Sequence, residues 1–403
     1  MASFNHQQRM AVEHVAHPCL VLAGPGSGKT TVITHRTKKL IEEDGISPSN
    51  ILVITFTKAA AMEMQQRFLQ LMGGKRLPVS FGTFHAVYFQ ILKYAYNYRA
   101  ENIIREEKKY EILRNIVHKT ELDISDENEF VANLISEISN VKGEMLDVAY
   151  YYSKNCPEEV FKKIFREYND TLIRANLIDF DDMLVMCYEL LTKRKDILKL
   201  WQDKYRYILI DEFQDINRVQ YEVIRLLAKP QDNLFIVGDD DQSIYRFRGA
   251  KPEIMLGFEK DFPGTKRVLL GTNYRSTREI VETSLRLIGH NTVRFEKKLE
   301  PFRGSGRPVD FRVFDNPGHE MDTVAQSIRA YHDAGDAWNE IAGLFRTGAN
   351  SGLMAERLMG YNIPFKLRDV IPNLYNHWIA KDLFAYMEIA AGSRKRSDFY
   401  RIM

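Results

Sequence analysis

The sequence predicts an α/β fold in which a parallel sheet carries its chemistry at the carboxyl ends of the strands, with a helical subdomain inserted into it. Three observations predict this. The apolar run 20–23 enters the turn Gly24-Pro25-Gly26-Ser27-Gly28-Lys29-Thr30-Thr31, and a helix-like stretch follows. Further apolar runs end in reactive polar residues: 51–56 before Thr57, 207–210 before Asp211, and 234–237 before Gly238-Asp239. Between the runs at 51–56 and 207–210, residues 90–177 are rich in Lys, Glu, Tyr, Ile and Leu at helical spacing, with few strand-like runs.

The first turn reads as a phosphate-binding loop. Its glycines let backbone N–H groups converge on phosphate oxygens, and the helix behind it adds a positive amino terminus. Gly24, Gly26, Ser27, Gly28 and Thr31 form the cradle, Lys29 reaches the β- and γ-phosphates, and the Thr30 hydroxyl holds Mg²⁺. Ala23 stands where the strict pattern has its first glycine.

In Ile208-Leu209-Ile210-Asp211-Glu212-Phe213-Gln214-Asp215, adjacent acids close an apolar strand. Asp211 suits Mg²⁺ held through its water shell, and Glu212 suits the base that orients and deprotonates an attacking water. The next run leads into Asp239-Asp240-Asp241-Gln242 and then into alternating aromatic and basic residues at Tyr245-Arg246-Phe247-Arg248. Gln242 is placed to sense the γ-phosphate, Tyr245 and Phe247 offer aromatic faces to a single strand, and Arg248 offers a phosphate contact. One short segment then joins nucleotide state to nucleic-acid grip.

After residue 267 strand and helix alternate again: strands at 267–270, 309–314 and 341–345, helices at 276–288 and 320–334. The expected organisation is a first ATP-binding domain from 1–90 and 178–266, a helical insertion at 91–177, and a second α/β domain over 267–403. Composition sets bounds on function. With 56 basic and 54 acidic side chains the net charge is +2, so any DNA track must be local. Cys19, Cys156 and Cys187 lack metal-ligand spacing, which suits packing in a reducing cytoplasm. His6, Arg9, Glu13 and His14 break up the first 20 residues, unlike an ordinary signal peptide, and no run approaches the ~18 apolar residues of a membrane span.

Together these motifs resemble those of the superfamily 1 DNA helicases of the UvrD, Rep and PcrA type, over essentially the whole chain. Phe4-Asn5 and Gln8 resemble the motif whose Gln reads the adenine edge. The segment from Thr55-Phe56-Thr57 onward, and Gly82-Thr83-Phe84-His85-Ala86, resemble motifs that contact single-stranded DNA. Lys58-Ala59 replaces the customary Asn-Lys in the first of them. Asp179-Phe180-Asp181-Asp182 matches the return from the helical insertion. Thr272-Asn273-Tyr274-Arg275-Ser276-Thr277 resembles the motif whose Tyr stacks on adenine and whose Arg reaches the γ-phosphate.

The resemblance implies two RecA-like motor domains with ATP and Mg²⁺ between them, and stepping 3′ to 5′ along single-stranded DNA at duplex junctions, in repair or replication. For Phe56 and Phe84 a core position competes with DNA contact, because Phe is usually buried. His85 has a buried hydrogen bond as its competing role. Nothing in the chain resembles the family's later DNA-coupling motif or its final Arg-rich motif, so the second RecA-like domain is expected to be incomplete. The chain alone is expected to bind ATP and single-stranded DNA without unwinding. A non-motor ATP- and DNA-binding module and a helicase–nuclease subunit remain open as alternatives.

Overall fold

Burial on both faces decides which apolar runs become strands. In the computed structural model, β1 (Cys19–Ala23), β2 (Ile51–Thr55), β3 (Ser80–Thr83), β4 (Tyr207–Ile210), β5 (Leu234–Gly238) and β6 (Lys266–Leu270) form one sheet. Their order is β3-β2-β4-β5-β1-β6, and every pairing is parallel. Leu20 and Leu22 of β1 enter one core, while Cys19, Val21 and Ala23 enter the core on the other face. Leu234 and Ile236 of β5 part from Phe235 and Val237 in the same way. A strand covered on both sides has no polar alternation, which is why the sequence shows continuous apolar runs.

The structure describes residues 4–402 apart from 16, 121, 123, 125, 247–248, 347, 369–374 and 376–377, and gives only the backbone of 349 and 378. The chain divides into two compact units, Met1–Val309 and Asp310–Met403.

In the first unit, α1 (His6–Glu13), α2 (Lys29–Glu42), α3 (Lys58–Leu71) and α4 (Phe84–Tyr96) alternate with the first three strands. The helical insertion follows as α5 (Glu106–Val117), α6 (Glu127–Gly143) and α7 (Glu158–Arg174). It has its own core, built on residues such as Leu113, Leu134, Ile138, Phe161, Ile164 and Tyr168. Asp179 then caps α8 (Phe180–Lys193) in a reciprocal capping box with Asp182. Buried Asp179 also accepts hydrogen bonds from Lys142 at 3.1 Å and Tyr168 at 2.9 Å, tying α6 and α7 to the helix that returns to the sheet. The remaining helices of this unit are α9 (Lys195–Lys204), α10 (Arg218–Ala228), α11 (Pro252–Asp261) and α12 (Arg278–Ile288).

The second unit holds α13 (Pro317–Asp333), α14 (Gly348–Gly360), α15 (Trp378–Ala390) and α16 (Arg396–Ile402). Met321, Ala325, Met354, Leu358 and Ile363 form its small core.

Two expectations about strands are corrected. The run at 267–270 is a strand, but it pairs with β1 (Leu20 beside Arg267, Leu22 beside Leu269) and so completes the first sheet instead of opening a second. The runs at 309–314 and 341–345 form no ladder among the described residues, and Phe311 and Leu344 stand 87% and 94% exposed. Alternating apolar residues favour a strand only where a neighbour accepts its backbone hydrogen bonds.

The thiols fit the packing role, since all three cysteines are free and burial pushes Cys19 up to about 12. Among the described residues no helix is long and apolar enough to cross a membrane.

Candidate nucleotide and DNA site

Strands β4, β5 and β1 are neighbours in the sheet, so three loops meet at their carboxyl ends. The first is the glycine-rich turn. Gly26 and Gly28 take positive φ values of 66° and 89°, which side-chain-bearing residues rarely adopt. Ser27 Oγ donates to the Gly24 carbonyl at 2.7 Å and closes the turn. Gly28 is the residue before α2 and offers no side-chain cap, so the first-turn N–H groups keep their capacity for an anion.

The turn forms one wall of a cleft of about 350 Å³, lined also by Arg67, Glu212, Gln242, Tyr274 and Arg275. Lys29 and Thr30 line it too. Lys29 Nζ lies 3.0 Å from Glu212 Oε2, and Gln214 Nε2 donates to the same oxygen at 2.9 Å. Glu212 sits at φ 51°, a left-handed conformation unusual for a non-glycine residue and of the kind found where a side chain must be aimed. Asp211 is buried, and desolvation together with the Glu212 charge pushes its carboxyl up to about 7. The same two causes push Asp215 up to about 6. A buried carboxyl held against ionisation in this way is suited to a cation. Among the described residues no three His, Cys, Asp or Glu side chains converge into a metal cage. Mg²⁺ bound by one carboxylate plus phosphate oxygens needs none.

The segment from β7 (Thr272–Asn273) to β8 (Glu300–Pro301), which pair in parallel, closes over the turn. Tyr274 N–H donates to the Gly26 carbonyl at 3.0 Å. A Cβ on Gly26 would lie 2.6 Å from Arg275 Cβ and 3.1 Å from Arg275 N, so that position admits no side chain, while one on Gly24 would lie 2.7 Å from a Leu299 methyl and would push that side chain aside. Asn273 Oδ1 accepts from the N–H groups of Arg275 and Ser276 at 2.8 and 2.9 Å and so fixes the backbone that presents Arg275. Asn5 and Gln8 form a capping box on α1. From there Gln8 Nε2 donates to the Ser27 carbonyl at 3.0 Å, and Asn5 Nδ2 donates to the Tyr274 hydroxyl at 2.9 Å. The Tyr274 ring packs on Phe302, with centroids 4.9 Å apart.

On the DNA-facing candidates the structure separates two groups. Phe56, at the end of β2, stacks on Tyr245 with centroids 5.6 Å apart and planes at 19°. Phe84 is corrected to a core residue, only 2% exposed and packed edge-on against Tyr88, because the first residue of α4 faces the sheet. Its neighbour Thr83 spends its hydroxyl capping α4, accepting from Ala86 N–H at 3.3 Å. The His85 ring meets Phe180 edge-on at 5.4 Å, and desolvation lowers its pKa. Thr55 is buried, with a hydroxyl that has no hydrogen-bond partner among the described residues. Phe247 and Arg248 lie outside the described residues.

Arg67, Gln214 and Asn273 were not legible as site residues. Arg67 lies on α3 and pairs with Glu63 one turn earlier, so in sequence it reads as part of a solvated helix face.

A family model described as the UvrD/REP helicase N-terminal domain matches residues 4–263, and one described as the UvrD-like helicase C-terminal domain matches 268–403. The chain belongs to the UvrD/Rep helicase family. Relatives in this family include YjcD of Bacillus subtilis, 35% identical over 390 residues that cover 95% of this chain and 51% of the relative. The ATP-dependent DNA helicase PcrA of Staphylococcus epidermidis is 33% identical over 410 residues, covering 100% and 55%. DNA helicase II of Escherichia coli is 34% identical over 407 residues, covering 100% and 56%. The chain thus spans about half the length of the curated relatives it matches.

Proposed function

We propose that this chain binds ATP and single-stranded DNA and supplies both functions to an ATP-dependent DNA helicase that steps 3′ to 5′ from duplex junctions in cytoplasmic DNA repair or replication. One observation carries the coupling. The loop after β5 places Gln242 in the phosphate cleft and, three residues later, Tyr245 against Phe56. A shift of this loop with nucleotide state alters the stacking surface with it.

In the cleft, Lys29 neutralises β- and γ-phosphate oxygens, Glu212 takes the proton of the attacking water, and Arg275 compensates charge on the γ-phosphate. Gln242 senses whether that phosphate is present. Asp211 and Thr30 would hold Mg²⁺, whose chemistry there is charge neutralisation at the phosphate oxygens. Gln8 and Tyr274 suit the adenine end of the nucleotide.

The test uses the protein at its natural length and compares duplexes with a 3′ or a 5′ single-stranded tail. ATP turnover is expected to rise with single-stranded DNA, and displacement is expected from the 3′ tail alone. Binding of both ligands without displacement from either tail would favour a non-motor module.

Phe56→Ala is expected to weaken binding of an oligothymidine by ~1–3 kcal/mol, the value of one lost stacking contact. Its salt dependence should stay as in the parent chain, because no phosphate contact is removed. Fluorescence anisotropy across a salt series reads both, and a changed slope would count against stacking.

A further inference from the structure

Asp239, Asp240 and Asp241 stand in sequence at the end of β5, where three adjacent carboxylates would repel one another. The structure neutralises them from a distance. Lys297, wholly buried, places Nζ 2.5 Å from Asp239, 2.6 Å from Asp240 and 2.8 Å from Asp241. Arg294 grips Asp241 with two nitrogens at 2.7 and 2.6 Å, and Phe295 N–H donates to Asp240 at 2.8 Å. Both cations belong to the segment between α12 and β8, more than 50 residues from the acids.

The cluster reaches the cleft through Asp239. One of its carboxylate oxygens accepts from Lys297, while the other accepts from Gln242 Nε2 at 2.5 Å. Asp239 N–H donates to Gln214 Oε1 at 2.9 Å, and Gln214 donates onward to Glu212. An unbroken polar chain therefore runs from Lys297 to Gln242 and, by the second branch, to the Glu212–Lys29 pair. Without the ammonium, Asp239 Oδ1 would keep only the Asp241 N–H at 3.2 Å, and the carboxylate that holds the Gln242 amide would be less firmly fixed.

We infer that Lys297 is a positioning residue that, through Asp239, aims the Gln242 amide at the γ-phosphate of a bound nucleoside triphosphate. The inference rests on the reading of Gln242 as the γ-phosphate sensor. It gives Lys297 a role in telling triphosphate from diphosphate, although its Nζ is engaged by three carboxylates.

The test is a double-mutant cycle on Lys297→Met and Gln242→Ala in the 403-residue chain, titrating Mg-ADP and Mg-AMP-PNP by calorimetry. The readout is the ratio of the two dissociation constants. Gln242→Ala is expected to shift that ratio about tenfold against the triphosphate analogue, the scale of one charge-assisted hydrogen bond. Lys297→Met should shift it comparably, and the double variant no further than either. ADP affinity in Lys297→Met should stay as in the parent chain, which a general loss of structure would not allow.

An unmoved ratio in Lys297→Met beside a shifted one in Gln242→Ala overturns the role of Lys297 alone, as do shifts that multiply in the double variant. An unmoved ratio in Gln242→Ala overturns the sensor reading itself, and this inference with it. Because Lys297→Met leaves buried Asp239 and Asp240 without a cation while Asp241 keeps Arg294, the ratio is also read in Lys297→Met combined with Asp240→Asn, which removes one of those two charges. Loss of ADP binding in both backgrounds would assign Lys297 to the fold and overturn the inference.

Discussion

Lys29→Ala is expected to lower Mg-ATP affinity by ~100-fold, while the chain melts within a few degrees of the parent. The ammonium is a point charge positioned to meet two phosphate groups, and each charge-assisted hydrogen bond is worth ~1.5–3 kcal/mol when its partner is left unsatisfied. Two such contacts amount to ~3 kcal/mol or more, hence the hundredfold change. The same ammonium lies 3.0 Å from Glu212 Oε2, which holds it in the cleft. That pair is open to solvent on the Glu212 side, which is 35% exposed against 13% for Lys29, so screening limits what it contributes to folding. Calorimetric titration and a thermal melt read the two quantities side by side. Unchanged affinity would remove Lys29 from the site, and a collapsed melt would make it a structural residue.

The parts of this site that were legible in sequence are those where a local run and a local turn coincide. Residues 20–23 and 207–210 are buried on both faces, so their strands appear as apolar runs, and the polar residue that ends each run lands at the sheet's carboxyl edge. Ser80–Thr83 shows no such run, because it is half-buried along its length. Lys266–Leu270 was legible as a strand, but its neighbour was not. Parallel pairing with β1 joins residues nearly 250 positions apart and depends on contacts no local pattern encodes.

Phe84 shows the same limit for a side chain. It stands in a motif whose neighbours include a helix cap and an exposed alanine, and only the packing of α4 on the sheet decides that its ring turns inward. The acidic run at 239–241 read as part of a phosphate-side loop, with no hint of its cations. Charges more than 50 residues away, at Arg294 and Lys297, become its partners only when α12 and β8 bring them there.

Glu212→Gln is expected to bind Mg-ATP as tightly as the parent or somewhat more tightly, while hydrolysis falls by ~10²–10⁴-fold, the usual contribution of a general base. The substitution preserves shape. A side-chain carbonyl oxygen at this position still accepts from Lys29 and Gln214, as Glu212 Oε2 does now at 3.0 and 2.9 Å. The left-handed backbone at φ 51° suits an amide side chain no worse than a carboxylate, so no new strain enters. What changes is charge. The amide cannot take a proton from water at neutral pH, so the attacking nucleophile is oriented but not activated.

Affinity is maintained because a negative charge facing the phosphates has gone, and Lys29 is released from an ion pair that competes with nucleotide. The Glu212 charge is also one of the two causes that raise Asp211 to about 7, so its removal favours the ionised carboxylate that a cation requires. Single-turnover hydrolysis at saturating ATP and single-stranded DNA, set beside a binding titration, separates the two effects. Near-parental turnover with normal affinity would reduce Glu212 to a tether for Lys29 and move the base elsewhere, with the buried Asp215 on the same loop the next carboxyl to test.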